Sequence, residues 1–372
     1  MSKITKYALS DLYDMSSGLS SKKEQAGHGA PFVSFGTVFN NYFLPEELPD
    51  LMDTNEKEQQ IYSIKTGDVL ITRTSETIDE LAMSCVAVKD YPKATYSGFT
   101  KRLRPKREGI AYPKYMAFYF RSALFRKAVT NNAFMTLRAS FNEDIFTFLD
   151  VYLPDYDEQV RIGDMLYNIE CKIQKNKEIN DYLEQLLCLL YENMMNDAQT
   201  GNITGHNTIA SALTNIVTGK EDANFSSPNG KYNFFTCSSN TLKCDEYAFN
   251  ASSILIAGNG EFNVKHYTGK FNAYQRTYVL IPDLEYYALL YLASMYQIKS
   301  FKSAASGSIV KFITKGDIEN IPVFIPDNKA ILNKFNCLLM LQEQYQKESD
   351  ELASIRDWLL PMLMNGQAAI ED

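Results

Sequence analysis

Few residues in this chain have types and spacing that could do chemistry. Pro154-Asp155 followed by Glu170-Cys171-Lys172 has the loose PD...ExK spacing in which carboxylates hold Mg²⁺ beside a lysine to hydrolyse phosphodiesters. That chemistry needs a strand edge, whereas Glu170 and Lys172 flank positions of a heptad-patterned helix, so the pattern does not predict a nuclease. Gly258-Asn259-Gly260 lacks the third glycine and the Lys-Ser/Thr pair of a phosphate-cradling loop, and predicts a hairpin turn. His28, His206 and His266 have no acid or nucleophile at a telling spacing, and His206 falls in the linker-like stretch TGNITGHN. Cys85, Cys171, Cys188, Cys237, Cys244 and Cys337 form no CxxC pair, and no histidine stands at zinc-ligand spacing from them, so they are expected to be reduced and metal-free. No NPPY-type adenine-methylation motif occurs. No catalytic residue, no metal site and no resident cofactor are expected.

What remains is binding chemistry. The whole chain carries a net charge of -8, yet residues 89–138 hold 12 positive and 2 negative groups and abut residues 139–200, with 4 positive and 13 negative. A basic stretch this dense is the usual electrostatic footprint of a phosphate backbone. Within it the KRLRPKR cluster reads as loop-like and offers Lys101, Arg102, Arg104, Lys106 and Arg107, with Arg138 further on and Arg73 after the GDVLIT run. Arg121, Arg126 and Lys127 fall on an expected helix over 114–128 and read as its solvated face. Residues 201–328 carry 10 positive and 10 negative groups, so their candidates, Lys265, His266, Lys270, Arg276, Lys302 and Lys311, depend on local placement and on polar loops such as Ser306-Gly307-Ser308.

Two long helices must position these groups. Over 158–196, Ile162, Leu166, Ile169, Ile173, Asn176, Asn180, Leu183, Leu187, Leu190 and Met194 follow a strict 4,3,4,3 spacing, which is one apolar seam interrupted by two asparagines. Over 329–365, Ile331, Phe335, Leu338, Gln342, Tyr345, Ser349 and Leu352 repeat it, and a phase shift to Ile355, Leu359 and Met362 is expected, with Pro361 bending or ending the last turns. Matched lengths and matched polar interruptions predict that the helices pair, since buried amides fix register by penalising slipped alternatives. The alternative is that each helix packs only on its own domain.

Before each helix lie short β-like runs with turn signals: IYSIKTGDVLITRT and TFLDVYLPD in the first half, AFNASSILIAGNGEF and ENIPVFIPD in the second. They correspond in order. Tyr152-Leu153-Pro154-Asp155 matches Phe324-Ile325-Pro326-Asp327 at an offset of 172, Tyr115-Met116-Ala117 matches Tyr286-Tyr287-Ala288 at 171, and Val69-Leu70-Ile71 matches Ile254-Leu255-Ile256 at 185. The expected fold is α+β: two similar β-rich domains, 1–157 and 201–328, separated and followed by long helices, 158–200 and 329–372, that pair as an antiparallel coiled coil. The 24 tyrosines and 22 phenylalanines suit such half-buried sheets. No apolar run is long enough to span a membrane and no secretory signal is evident, so a cytoplasmic protein is expected.

At this point the chain resembles the specificity subunits of type I restriction-modification systems over nearly its whole length. The resemblance is carried by VYLPDYDEQVRIGDML and IQKNKEIN after the first domain, by GKYNFFTCS, SILIAGNGEF and GKFNAYQRTYVL in the second, and by the closing IRDWLLPMLMNGQ. The second helix begins PDNKAIL and lacks the EQ pair of the first. The resemblance implies two target-recognition domains that each read half of a split double-stranded DNA sequence, with the paired helices as spacer and as docking site for two methyltransferase subunits. It further implies that S-adenosylmethionine, Mg²⁺ and ATP belong to the methyltransferase and the separate restriction-translocase subunits. A second function class, a helical scaffold whose heads bind proteins, is separated from this one by salt-dependent, sequence-selective affinity for DNA.

Overall fold

The computed structural model describes residues 4–132, 139–304 and 312–368. It contains two compact units, one holding the chain up to Ile173 together with Glu351 onward, the other Gln174–Asp350. Both division points lie inside helices, Tyr156–Thr200 and Lys329–Met364, so each unit is a β-rich head plus segments of both long helices.

The first unit is organised on a four-stranded antiparallel sheet in the order Tyr13–Ser17, Thr100–Pro105, Val69–Thr72, Ser84–Val86. Alternation sends Val69, Ile71 and Leu103 into one core and Leu70 and Cys85 into another, so the sheet is covered on both faces. A three-stranded sheet of Asp50–Met52, Ala26–Val33 and Thr95–Tyr96 flanks it. Thr5–Ala8 pairs with Asp150–Leu153 beside the start of the long helix. There the EQ pair explains itself. Gln159 is 1% exposed; its side chain donates to the carbonyls of Ile110 and Pro154 and accepts from the Tyr112 amide, so it ties helix to head. The expected helix over 114–128 is instead two, Pro113–Tyr119 and Ala123–Asn132, the second capped by the Ser122 hydroxyl.

The second unit has a six-stranded sheet, Thr214–Thr218, Thr277–Pro282, Phe249–Ala257, Val264–Ala273, Tyr232–Phe235, Leu242–Cys244. Its pairings repeat those of the first unit. Val69 opposite Leu103 and Val86 becomes Ile254 opposite Leu280 and His266, and Tyr13 opposite Pro105 becomes Thr214 opposite Pro282. The parallel pair Val33–Tyr96 becomes Phe235–Ala273. The single long strand Val264–Ala273 thus does the work of two short strands in the first unit. His206 lies on the strand Gly205–Ile209, opposite Ile325, rather than in a linker.

The seam of the first long helix faces inward along its whole course. Ile162, Leu166, Asn176, Leu183, Leu187 and Met194 are buried, while Ile169, Ile173, Asn180 and Leu190 are half-buried. On the second helix Phe335 and Gln342 are buried and Leu338, Tyr345, Leu352 and Leu359 half-buried, with Leu332 and Leu339 adding to the core. The expected phase shift does not occur: Ile355 is 48% exposed, and the spacing continues as Leu352, Arg356, Leu359, Leu363. An arginine occupies the seam because a carboxylate meets it, Glu170, whose Oε2 accepts from Arg356 Nη1 at 2.5 Å. Within the second unit, Asn176 Nδ2 donates to Glu348 Oε2 at 2.8 Å and Gln342 Nε2 to the Asn180 carbonyl at 3.3 Å. As one helix number rises the other falls, which is antiparallel pairing. Pro361 is accommodated, and the helix ends three residues later at Met364. No helix among the described residues is long and apolar enough to cross a membrane.

Candidate nucleic-acid interface

The basic cluster of the first head is not a loop. TKRLRP is an inner strand of the four-stranded sheet, flanked by Tyr13–Ser17 and Val69–Thr72. Strand alternation puts Arg102 and Arg104 on one face, where they brace the segment leading into Asp68. Arg102 is 8% exposed, donates to the Ser63 carbonyl at 2.5 Å and lies 5.5 Å from the centre of the Tyr96 ring. Arg104 forks onto the fully buried Asp68 through Nε at 2.8 Å and Nη2 at 2.6 Å, and also reaches Ser63. A guanidinium held in a two-pronged pair with a buried carboxylate is structural and is not available to a phosphate. Arg121 is likewise not a solvated helix-face residue. It donates to the carbonyls of Ser84, Val38, Phe39 and Asn41 and stacks on Tyr42.

Four other candidate cations of this head divide between the two ends of the strand. Lys106 and Arg107 follow its last residue and are exposed, with Lys106 reaching the Ser10 carbonyl at 2.8 Å and Asp14 at 3.5 Å. Lys101 and Arg73 lie at the other end, about 20 Å away at ~3.3 Å per strand residue. Lys101 Nζ donates to Ser17 Oγ at 2.9 Å; burial, and then the positive charge of Arg73, hold its ammonium below the usual lysine range. Phe99, 65% exposed, projects from the turn that links Thr95–Tyr96 to the strand. The charge pattern of the sequence does not mark Phe99. Its signal is a bulky apolar residue directly after Ser97-Gly98, where a turn calls for a polar one. Arg138 lies outside the described residues.

In the second head Lys265 and His266 point inward. Lys265 Nζ donates to the Ser238 carbonyl at 2.7 Å, and burial lowers its affinity for a proton. His266 Nδ1 is 3.0 Å from Glu343 Oε1, and its ring lies 4.7 Å from that of Tyr291, so it ties the sheet to the C-terminal helix. Tyr287 donates to the same carboxylate at 2.7 Å. Burial pushes the Glu343 carboxyl up, but the hydrogen bonds of His266, Tyr287 and Thr268 outweigh it and hold the group below the usual glutamate range. Lys270 is exposed over the Tyr247 ring. Arg276 is exposed at the turn before Thr277–Pro282. Lys311 and the side chain of Lys302 lie outside what is described, as do Ser306, Gly307 and Ser308.

The exposed residues Phe99 and Arg276 occupy the same backbone position in the two repeats. The Arg73 amide donates to the Phe99 carbonyl at 2.8 Å, and the Gly258 amide to the Arg276 carbonyl at 2.9 Å. Each turn is closed by a threonine amide, Thr100 to Ser97 at 2.9 Å and Thr277 to Tyr274 at 2.8 Å. Outside the heads, the long helices expose a second repeated feature. Leu186 and Leu189, 42% and 57% exposed, recur 169 residues on as Ile355 and Trp358, 48% and 67% exposed. Among the described residues no group of three or more His, Cys, Asp or Glu could hold a metal ion, and Glu170 of the nuclease-like spacing is engaged by Arg356.

The family model described as the type I restriction modification DNA specificity domain matches residues 1–185 and again 211–346. A type I restriction enzyme EcoDI specificity subunit from Escherichia coli is 39% identical over 166 residues, 43% of this chain and 37% of that one, so the match spans little more than a third of that relative. A crystal structure of a type I restriction-modification S subunit from M. genitalium aligns with a TM-score of 0.64 at 17% identity, covering 97% of this chain and 96% of the other, which is a likeness of fold. An HsdS subunit from Thermoanaerobacter tengcongensis aligns over 98% of this chain at a TM-score of 0.38 and 13% identity.

Proposed function

This chain belongs to the type I restriction-modification DNA specificity family, and from that premise we propose that it is the non-catalytic specificity subunit of such a complex. Each head reads one half-site of a bipartite double-stranded DNA target. The observation that carries this reading is the duplication itself: one sheet register and one exposed turn, present twice, each head continuing into a long helix. A chain that repeats a binding surface on two heads suits a target that repeats a site. The exposed cations Arg73, Lys270 and Arg276, with the half-buried Lys101, supply phosphate and base contacts, while Lys106 and Arg107 hold the backbone further along.

The partners follow from the second repeated feature. Two equivalent apolar pairs on the helices, Leu186/Leu189 and Ile355/Trp358, support docking of two copies of one protein, the methyltransferase subunit. Restriction-translocase subunits join that assembly. S-adenosylmethionine, Mg²⁺ and ATP are bound by the partners, and the complex works in the cytoplasm. The test is selection from a random-site DNA pool by the chain bound to its methyltransferase subunits. Enrichment of two short motifs at a fixed gap, with affinity falling steeply as salt rises, is the expected result. Enrichment of no bipartite sequence overturns the reading.

A further inference from the structure

The turns that carry Phe99 and Arg276 share more than a single hydrogen bond. Beyond the two already described, the Phe141 amide donates to the Arg73 carbonyl at 2.8 Å and the Ile313 amide to the Gly258 carbonyl at 2.7 Å. The Gly18 amide donates to Thr100 at 3.3 Å, and the Gly219 amide to Thr277 at 3.0 Å. Four matched bonds on each side leave neither turn free to move, so the two exposed side chains are presented on equally rigid supports. Rigidity matters, because a side chain that reads a base edge must be held in place by its own surroundings.

The chemistry at the two positions differs. In the first head an aromatic ring stands in water two residues before Lys101, on backbone bonded to that of Arg73, and the charges of Arg73 and Glu143 both act on Lys101. In the second, register places Gly258 and Tyr278 where the first head has Arg73 and Lys101, and a guanidinium stands where the ring was. At these two matched positions the cations are gone, and a cation stands at the tip itself. This is how the second head can contact DNA without a basic surplus.

We propose that Phe99 and Arg276 are base-reading residues, one in each half-site. Phe99 makes an apolar contact to the 5-methyl group of a thymine, and Arg276 donates two hydrogen bonds to O6 and N7 of a guanine, both in the major groove. The inference rests on the DNA-specificity reading and adds to it the residues and the base class. Arg73, whose amide bonds the Phe99 carbonyl, and Lys101, two residues on, supply phosphate contacts while the ring touches the base. Arg276, whose register-matched neighbours Gly258 and Tyr278 carry no charge, joins charge and readout in one group.

The experiment is the same pool selection, run in parallel on the complex containing the wild-type chain, Phe99→Ala, Phe99→Leu or Arg276→Gln. Phe99→Ala should lower the thymine preference about tenfold at one position of one half-site and leave the other half-site unchanged. Phe99→Leu, which keeps an apolar contact, should keep the motif. Arg276→Gln should shift one guanine of the other half-site to adenine, because a glutamine amide pairs with adenine N6 and N7. Such a base switch cannot arise from a merely structural role. A wild-type motif with all three variants overturns the inference while the specificity reading stands. So does a variant that alters both half-sites or weakens binding uniformly. A wild-type pool without any motif overturns the specificity reading, and this inference with it.

Discussion

Arg356 donates to Glu170 across the helix pair at 2.5 Å, with side chains only 13% and 8% exposed. Arg356 also stacks on Tyr42 and contacts Asp357, so its charge is well satisfied.

Removing one partner leaves a nearly buried charge. Arg356→Leu should lower the stability of the first unit by about 3 kcal/mol, while Glu170→Leu with Arg356→Leu should return it to within about 1 kcal/mol of wild type or above it. Denaturant midpoints of the four chains in the double-mutant cycle measure this. A double variant as unstable as the single one would show that the layer acts through something other than its charges.

The polar middle of the seam trades stability for alignment. Asn176 and Gln342 are buried, and Asn176 Oδ1 and Gln342 Oε1 have no hydrogen-bond partner within the described residues. Asn176→Leu with Asn180→Leu should raise the melting temperature by a few degrees and permit slipped pairings, seen as a spread in the gap between selected half-sites. Lower stability with an unchanged gap would contradict the seam reading.

Much of this was legible because it rests on periodicity. The bounds of the two long helices, the 4,3,4,3 seam and the order of strands follow from side-chain spacing, which a sequence displays directly. What misled was charge. Arg102 and Arg104 read as a loop because five cations crowd residues 101–107 around a proline, yet arginine stems bury readily when Asp68 and a carbonyl take the guanidinium. The same bias placed Ile355, rather than Arg356, in the seam. Phe99 went unnoticed for the opposite reason: an apolar residue in a strand-like run is expected to be inside, and only the turn at Ser97-Gly98 reverses that.

The carboxylate that joins the second head to its helix gives a pH dependence of definite sign. The Glu343 carboxyl sits below its ordinary value of 4.5 in the folded chain, so its contribution is complete above that value and is lost as pH falls through the folded one. Glu343→Gln should therefore melt lower than wild type near neutral pH, with the gap closing below about pH 4. Thermal melts across that range check it. A gap independent of pH would mean that the His266 contact contributes through shape alone.

The exposed pairs on the helices predict stoichiometry. Leu186→Asp with Leu189→Asp should remove one methyltransferase copy from the complex, Ile355→Asp with Trp358→Asp the other, and all four together both. Mass measurement of the assembled complexes reads the outcome directly. Two copies retained by every variant would place the docking face elsewhere.

The central claim is that two heads on one chain read two half-sites, and methylome sequencing of a host carrying this chain with its partner subunits tests it most directly. The account predicts methylated adenine in a bipartite motif, two short defined sequences separated by a fixed undefined gap. An uninterrupted motif, or methylation with no defined sequence in the presence of active partners, would contradict it.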